Sequence, residues 1–298
     1  MNYRTVGKSG LSVSETGFGC MSLLKTIDAE ATAIVHAAVD AGINYFDTAD
    51  LYDKGANEEL IGKLLKPLRS KIVLATKVGN QWKADGSGWD WNPAKDYILK
   101  AVDESLRRLQ TDYIDLYQLH GGTIEDPMDE TIEAFEQLVQ QGKIRHYGIS
   151  SIRPNVIRAY VEKSNIISVM LQYSLLDRRP EETVLDFLET NGIGVMVRGA
   201  LAQGLLAGKT PKDYLGHPGS VIQSAAGHLR ARATASGTTP SALATQYVLS
   251  HPAVSSVVTG IRTMGQLQEA IALSPQPDAA WLNELKESIP ANQYQEHR

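Results

Sequence analysis

Four side chains with complementary proton chemistry close apolar runs in this chain. Asp47 and Tyr52 lie in YFDTADLY, Lys77 follows five buriable residues in IVLATKV, and His120 ends YIDLYQLH. Taken singly, each has an ordinary structural reading: an Asp after a strand is a turn residue, a Tyr a rim aromatic, a Lys snorkels and a His packs. Their recurrence at successive strand ends points instead to proton transfer onto an oxygen. A tyrosine with its usual pKa near 10 is a weak acid at neutral pH, but a neighbouring ammonium favours the phenolate and brings it into range. Lys77 supplies that ammonium, Asp47 keeps it charged and oriented, and His120 polarises a carbonyl at the same point. Burying Lys77 costs several kcal/mol, roughly, unless such a partner is present. The chemistry described is the acid half of a carbonyl reduction.

The elements that must position these groups form a regular series. Short β-branched runs at 15–20, 45–48, 72–78, 113–120, 144–150, 168–173, 194–200 and 255–260 alternate with helical patterns, as in a parallel sheet with crossover helices. Ile98, Val102, Leu106 and Leu109 recur at helical spacing behind Pro93, and Ile132, Phe135 and Leu138 do so over 128–141 before Gly142. Eight such pairs with no break in composition predict one domain over 1–298, a (β/α)8 TIM barrel. Residues 1–14 read as a β-hairpin capping one end, 207–219 as a loop before a helix at 221–235, and the segment after Pro277 as an extra C-terminal helix. In such a barrel the chemistry collects at the C-terminal ends of the strands. That is where Asp47, Lys77, His120, Ser150, Ser151 and Gln172 all fall.

Several classes are excluded or disfavoured. The formal charge of -5 comes from 29 Lys and Arg scattered among 34 Asp and Glu, with no basic stripe for nucleic acid. A single cysteine, Cys20, forbids an internal disulfide and multi-cysteine metal sites and fits a cytoplasmic protein. No signal-like segment and no run of about 18 apolar residues points to a membrane. The seven histidines lack zinc spacing, Gly-x-Ser-x-Gly is missing, and Ser22–Lys25 fits Ser-x-x-Lys without its companion motifs.

In order along nearly the whole chain, FDTADLY, NEELIG, LATKV, DYIDLYQLH, GKIRHYGIS, LQYSLLDR and GLLAGK resemble the aldo-keto reductase family. The resemblance places that family's catalytic tetrad on Asp47, Tyr52, Lys77 and His120. It implies an NADP(H)-dependent oxidoreductase without a Rossmann domain or a metal, acting on a small-molecule carbonyl, aldehydes above all. It further implies that the backbone of Gly19, Cys20 and Met21, with Asp47, lies beside the nicotinamide, and that Ser150, Ser151 and Gln172 meet the carboxamide. Arg198 and Gly199 would flank the ring, Leu201, Gln203, Gly204 and Lys209 would meet the pyrophosphate, and Gly260, Arg262, Gln266 and Glu269 the adenosine end. Arg262 suits a 2′-phosphate, because a guanidinium pairs with phosphate bidentately. Three positions depart from the commoner pattern: Ser151 and Ala270 stand for Asn, and Arg198 for a stacking aromatic. Met21, Tyr52, Trp82 and His120 are the expected substrate pocket. Trp89 and Trp91 either join that wall or pack on the outer helices. Two rival readings use the same residues: a barrel aldolase forming a Schiff base on Lys77, and a slow cofactor-binding sensor like the potassium-channel β subunits.

Overall fold

The eight apolar runs become strands that close on themselves. A computed structural model describes residues 1–26, 28–272 and 279–298; Pro277 and its neighbours fall outside them. An antiparallel hairpin, β1 (Tyr3–Thr5) and β2 (Ser12–Ser14), leads into β3 (Thr16–Gly19), α1 (Asp28–Asp40), β4 (Tyr45–Asp47), α2 (Ala56–Leu65) and β5 (Val73–Val78). A second hairpin, β6 (Asn80–Trp82) and β7 (Trp89–Trp91), precedes α3 (Lys95–Leu109), β8 (Ile114–Leu119), α4 (Met128–Gln140), β9 (Ile144–Ser150), α5 (Pro154–Lys163) and β10 (Ser168–Gln172). Then come α6 (Val184–Asn191), β11 (Gly194–Arg198), α7 (Gly219–Ser236), α8 (Pro240–Leu249), β12 (Val254–Gly260), α9 (Met264–Ile271) and α10 (Ala279–Ser288). The strand order β10-β11-β12-β3-β4-β5-β8-β9 is closed and parallel throughout, a (β/α)8 TIM barrel with its hairpin cap and C-terminal helix.

Strand alternation divides the core in two. Tyr45, Val73, Ala75, Leu116, Met170 and Met196 fill the barrel interior, and Val6 and Val13 of the first hairpin close its floor. The hairpin turn approaches so closely that a Cβ on Gly7 (φ 52) would lie 2.2 Å from the Gly192 carbonyl oxygen; the left-handed turn and the contact both require glycine. The other strand faces pack against the helices. On α3, Ile98, Val102 and Leu109 are buried at helical spacing, each contributing about 1.5–3 kcal/mol relative to exposure. Above this closed floor, the titratable candidates Asp47, Lys77 and His120 lie at the C-terminal ends of β4, β5 and β8.

Two elements go beyond the sequence reading. Helix α8 starts where the Thr239 side chain accepts from the Ala242 amide and Pro240 takes the first turn. The β6–β7 hairpin stands over the rim, and its Trp91 ring lies across Gly79 and Gly121, where a Cβ would come within 2.6 and 3.1 Å of it. The Trp91 indole N–H donates to Asp126 at 3.0 Å. Trp91 thus packs on rim loops and against the edge of the strand–helix core, while Trp89 is half exposed.

Candidate active site

Strand register brings the expected acid-base groups together. Asp47 on β4 lies beside Ala75 on β5, and Lys77, two residues on, lies beside Gln118 on β8. The Lys77 ammonium donates to Asp47 Oδ1 at 2.5 Å and to the Thr48 carbonyl at 2.7 Å, with Lys77 1% and Asp47 4% exposed. Gln118 holds the second Asp47 oxygen through an Nε2 donation at 3.2 Å. Burial disfavours the Lys77 charge, but Asp47 and then Tyr52 outweigh it and hold its pKa above the ordinary lysine value. Burial raises the Asp47 pKa against the pull of Lys77 and Gln118. The pair offsets a desolvation cost that neither ion could bear alone.

Tyr52 stands at the head of a strained turn. Asp53 (φ 49), Lys54 (φ 57) and Gly55 (φ 88) are successive left-handed residues, which costs about 1–3 kcal/mol at each non-glycine position. The turn is clamped from the β6–β7 hairpin: Trp82 Nε1 donates to the Leu51 carbonyl at 3.1 Å, and the Lys54 ammonium reaches the Gly86 carbonyl at 3.2 Å while lying 5.1 Å from the Trp82 ring. In this setting Lys77 Nζ is 5.2 Å from the Tyr52 ring centroid, and the His120 ring meets Tyr52 edge-on at 6.0 Å. Burial first, then Lys77 and Arg198, push the His120 pKa down to about 3. Its imidazole is neutral at physiological pH, and His120 Nδ1 and Gln118 Oε1 are both buried without a hydrogen-bond partner among the described residues. Buried polar atoms are rarely left so, and such orphans mark a place for an incoming polar group.

The positions expected to hold a cofactor occupy the same rim in four groups. Gln172 ends β10 with both amide ends engaged: Oε1 accepts from Arg198 at 3.0 Å, and Nε2 donates to Asp177 at 2.8 Å and to the Tyr214 hydroxyl at 3.2 Å. Beside it, the Ser151 hydroxyl accepts from the Arg153 amide at 3.2 Å, next to Ser150. After β11 the backbone turns left-handed at Gly199, Ala202, Gln203 and Gly204. There Lys209 lies across Gly204 with its ammonium 2.8 Å from the Gln203 carbonyl, a cationic turn near Leu201 that suits a phosphate. At the end of β12 a Cβ on Gly260 would meet the Ser22 hydroxyl at 3.7 Å, an ordinary contact; beyond it Arg262 and Glu269 are exposed, and Gln266 Oε1 accepts from the Arg262 amide at 3.0 Å. At the near end, Asn57 Nδ2 donates to the Cys20 carbonyl at 2.9 Å and ties the Gly19–Met21 backbone to Thr48. Met21 is 59% exposed at the mouth, and Trp82 stands beside the Tyr52 turn.

Gln118, Asn57 and the Trp82 clamp are absent from the sequence reading. The two-residue period of YIDLYQLH already puts Gln118 on the face of His120, so that signal was available. Asp50 is a different case. It is 8% exposed, its Oδ1 has no hydrogen-bond partner among the described residues, and it shares its surroundings with Glu58, Arg108, Lys77, Tyr97 and Tyr117. Burial, then Glu58, push its pKa up to about 8. A native pKa above the unfolded value gives stability that is complete below the unfolded pKa and is lost as pH rises through the native one. Asp50→Asn is therefore expected to gain stability over wild type as pH rises from 4 to 9. Denaturant titrations across that range check it, and a pH-independent difference would refute it.

Comparison with known proteins bears on this arrangement. The model of the aldo/keto reductase family matches residues 15–286. An uncharacterized oxidoreductase of Bacillus subtilis, YqkF, is 52% identical over 281 residues, 91% of this chain and 90% of that protein. The aldo-keto reductase yakc [NADP(+)] of Schizosaccharomyces pombe is 36% identical over 215 residues, 68% of this chain and 63% of its own. Among solved structures, the holo form of the aldo-keto reductase AKR11C1 from Bacillus halodurans superposes with a TM-score of 0.92 at 47% identity, covering 100% of this chain and 99% of that one.

Proposed function

From the premise that this chain belongs to the aldo/keto reductase family and is an oxidoreductase of the kind that uses a nicotinamide cofactor, we propose that it reduces aldehydes to alcohols with NADPH, Tyr52 acting as the general acid. The observation behind this reading is the buried Lys77–Asp47 pair set beneath the Tyr52 ring with a neutral His120 at its edge. A bound nicotinamide supplies a hydride to the carbonyl carbon. The protein must then deliver a proton to the carbonyl oxygen as negative charge develops there. The Tyr52 hydroxyl gives that proton, and the fixed Lys77 ammonium stabilises the phenolate left behind. Neutral His120 offers a ring N–H to the same oxygen without adding a competing charge. Asp47 and Gln118 keep Lys77 from turning away. A Schiff base would need Lys77 as the free amine, whereas Asp47 and Tyr52 hold it protonated, which favours reduction over aldol chemistry.

Ser151 and Gln172 would orient the carboxamide, with Gln172 exchanging its bond to Arg198 for the ligand. Lys209 would face the pyrophosphate, and Arg262 the 2′-phosphate. The fission-yeast relative's name supports NADP(+) over NAD(+). The test is NADPH consumption against a panel of aldehydes, with NADH in parallel, for wild type and Arg262→Ala. Wild type is expected to turn over aldehydes with NADPH. Arg262→Ala should weaken NADPH by about 10–100-fold, the worth of a charge-assisted bond or two, and NADH far less. Equal losses for both cofactors would refute the 2′-phosphate contact, and no turnover with any aldehyde would refute the reaction.

A further inference from the structure

The turn that presents Tyr52 rests on a buried ion pair to which the reaction proposed above assigns no task. A Cβ on Gly55, the last residue of that turn, would lie 2.8 Å from Arg108 Cδ and 2.9 Å from Nε, so the Arg108 side chain is packed directly against the turn's end. Both Nε and Nη2 of Arg108 reach Glu58 Oε2 at 2.7 Å, and Glu58, in the first turn of α2, is wholly buried. The other Glu58 oxygen accepts from Thr76 Oγ1 at 2.6 Å. Thr76 immediately precedes Lys77 on β5. A continuous path therefore runs from the Tyr52 turn, by packing of Arg108 on Gly55, and then by hydrogen bonds through α3 and α2 to the strand that carries the ammonium.

Apolar packing of similar volume would stabilise this junction as well as an ion pair does. What the fork of Arg108 on Glu58 adds is a single register between α2, α3 and β5. Three consecutive left-handed residues do not fix a side chain by themselves, and a displacement of about 1 Å at a reacting group can cost roughly 100-fold in rate. Resting on the reading of Tyr52 as the acid, we propose that Glu58 and Arg108 are positioning residues that, through Thr76, set the Tyr52 turn against Lys77.

The test compares Glu58→Gln, Arg108→Met, Thr76→Val and Thr76→Ser with wild type in steady-state aldehyde reduction, NADPH binding and the solvent deuterium isotope effect on kcat. Glu58→Gln and Arg108→Met are expected to lower kcat by about 10–100-fold with the aldehyde KM and NADPH Kd within about twofold, because the lost interaction acts on proton delivery alone. The isotope effect should rise as proton transfer becomes limiting. Thr76→Val, the milder change, should lose about tenfold, and Thr76→Ser, which keeps the hydroxyl, should stay near wild type. Should the charged-pair variants fail to fold, the two Thr76 variants decide. Unchanged kcat in Thr76→Val, equal behaviour of Val and Ser, or a kcat loss with an unchanged isotope effect would overturn the inference. If wild type reduces no aldehyde, the proposed reaction fails instead, and a crystal structure of Glu58→Gln judges the positioning: a displaced Tyr52 turn supports it and an unmoved one overturns it.

Discussion

Tyr52→Phe is expected to lower kcat by roughly 10²–10⁴-fold, the usual contribution of a positioned general acid, while NADPH binding and folding stay as in wild type. Only one oxygen is removed. The Tyr52 ring is partly exposed, and its two contacts, edge-on to His120 at 6.0 Å and 5.2 Å from the Lys77 ammonium, are contacts of the ring and survive in phenylalanine. The aldehyde is bound before its oxygen takes a proton, so kcat and kcat/KM should fall together, the mark of an interaction made in the transition state. His120 is a poor substitute acid: with burial and Lys77 holding its pKa at about 3, it has no extra proton to give near neutrality. Single-turnover measurement with saturating NADPH separates chemistry from binding. A variant with nearly full activity and unaltered cofactor affinity would place the acid elsewhere.

Much of this site could be read before any coordinates, and the part that could not has a physical explanation. The strands were legible because inward and outward burial leave apolar, β-branched runs; 144–150 is observed with the bounds read from sequence, and the others agree within one or two residues. Once the strand ends are fixed, the barrel geometry alone places Asp47, Lys77 and His120 on one rim. Legibility fails where contacts join separate loops. The β6–β7 hairpin has strands of three residues, too short for a periodic signal, yet its Trp82 supplies the clamp on the Leu51 carbonyl. Arg198 meets Gln172 from 26 residues away, and Tyr214 reaches the same amide from a segment that reads only as Gly- and Pro-rich loop. Asp50 shows the converse. From sequence it reads as part of the loop or as support for the acid-base groups, but the neighbours that bury it, Glu58 and Arg108, come from two different helices.

Lys77→Met should be the most damaging single change, because it removes both the electrostatic support of the acid and the partner of a buried carboxylate. With the ammonium gone, Asp47 is left with the Gln118 donation at 3.2 Å and the nearby Tyr45 hydroxyl in a site 4% exposed, and breaking such a pair from one side costs about 3–5 kcal/mol. Asp47→Asn in the same chain removes the stranded charge. The double variant Lys77→Met/Asp47→Asn is therefore expected to recover most of the lost stability and none of the activity, since Tyr52 still lacks its ammonium. The pH dependence carries an independent sign. In Lys77→Met the native pKa of Asp47, already raised by burial, loses the lysine that opposed the rise. The variant's native state then binds a proton that its unfolded chain releases, so it is relatively more stable in acid and weakens as pH rises. Denaturant titrations of wild type, both single variants and the double variant form a cycle whose coupling energy measures the pair. A coupling near zero, with Lys77→Met as stable as wild type at neutral pH, would mean that Asp47 is neutral in the native protein and that Lys77 owes its charge to Tyr52 and the Thr48 carbonyl.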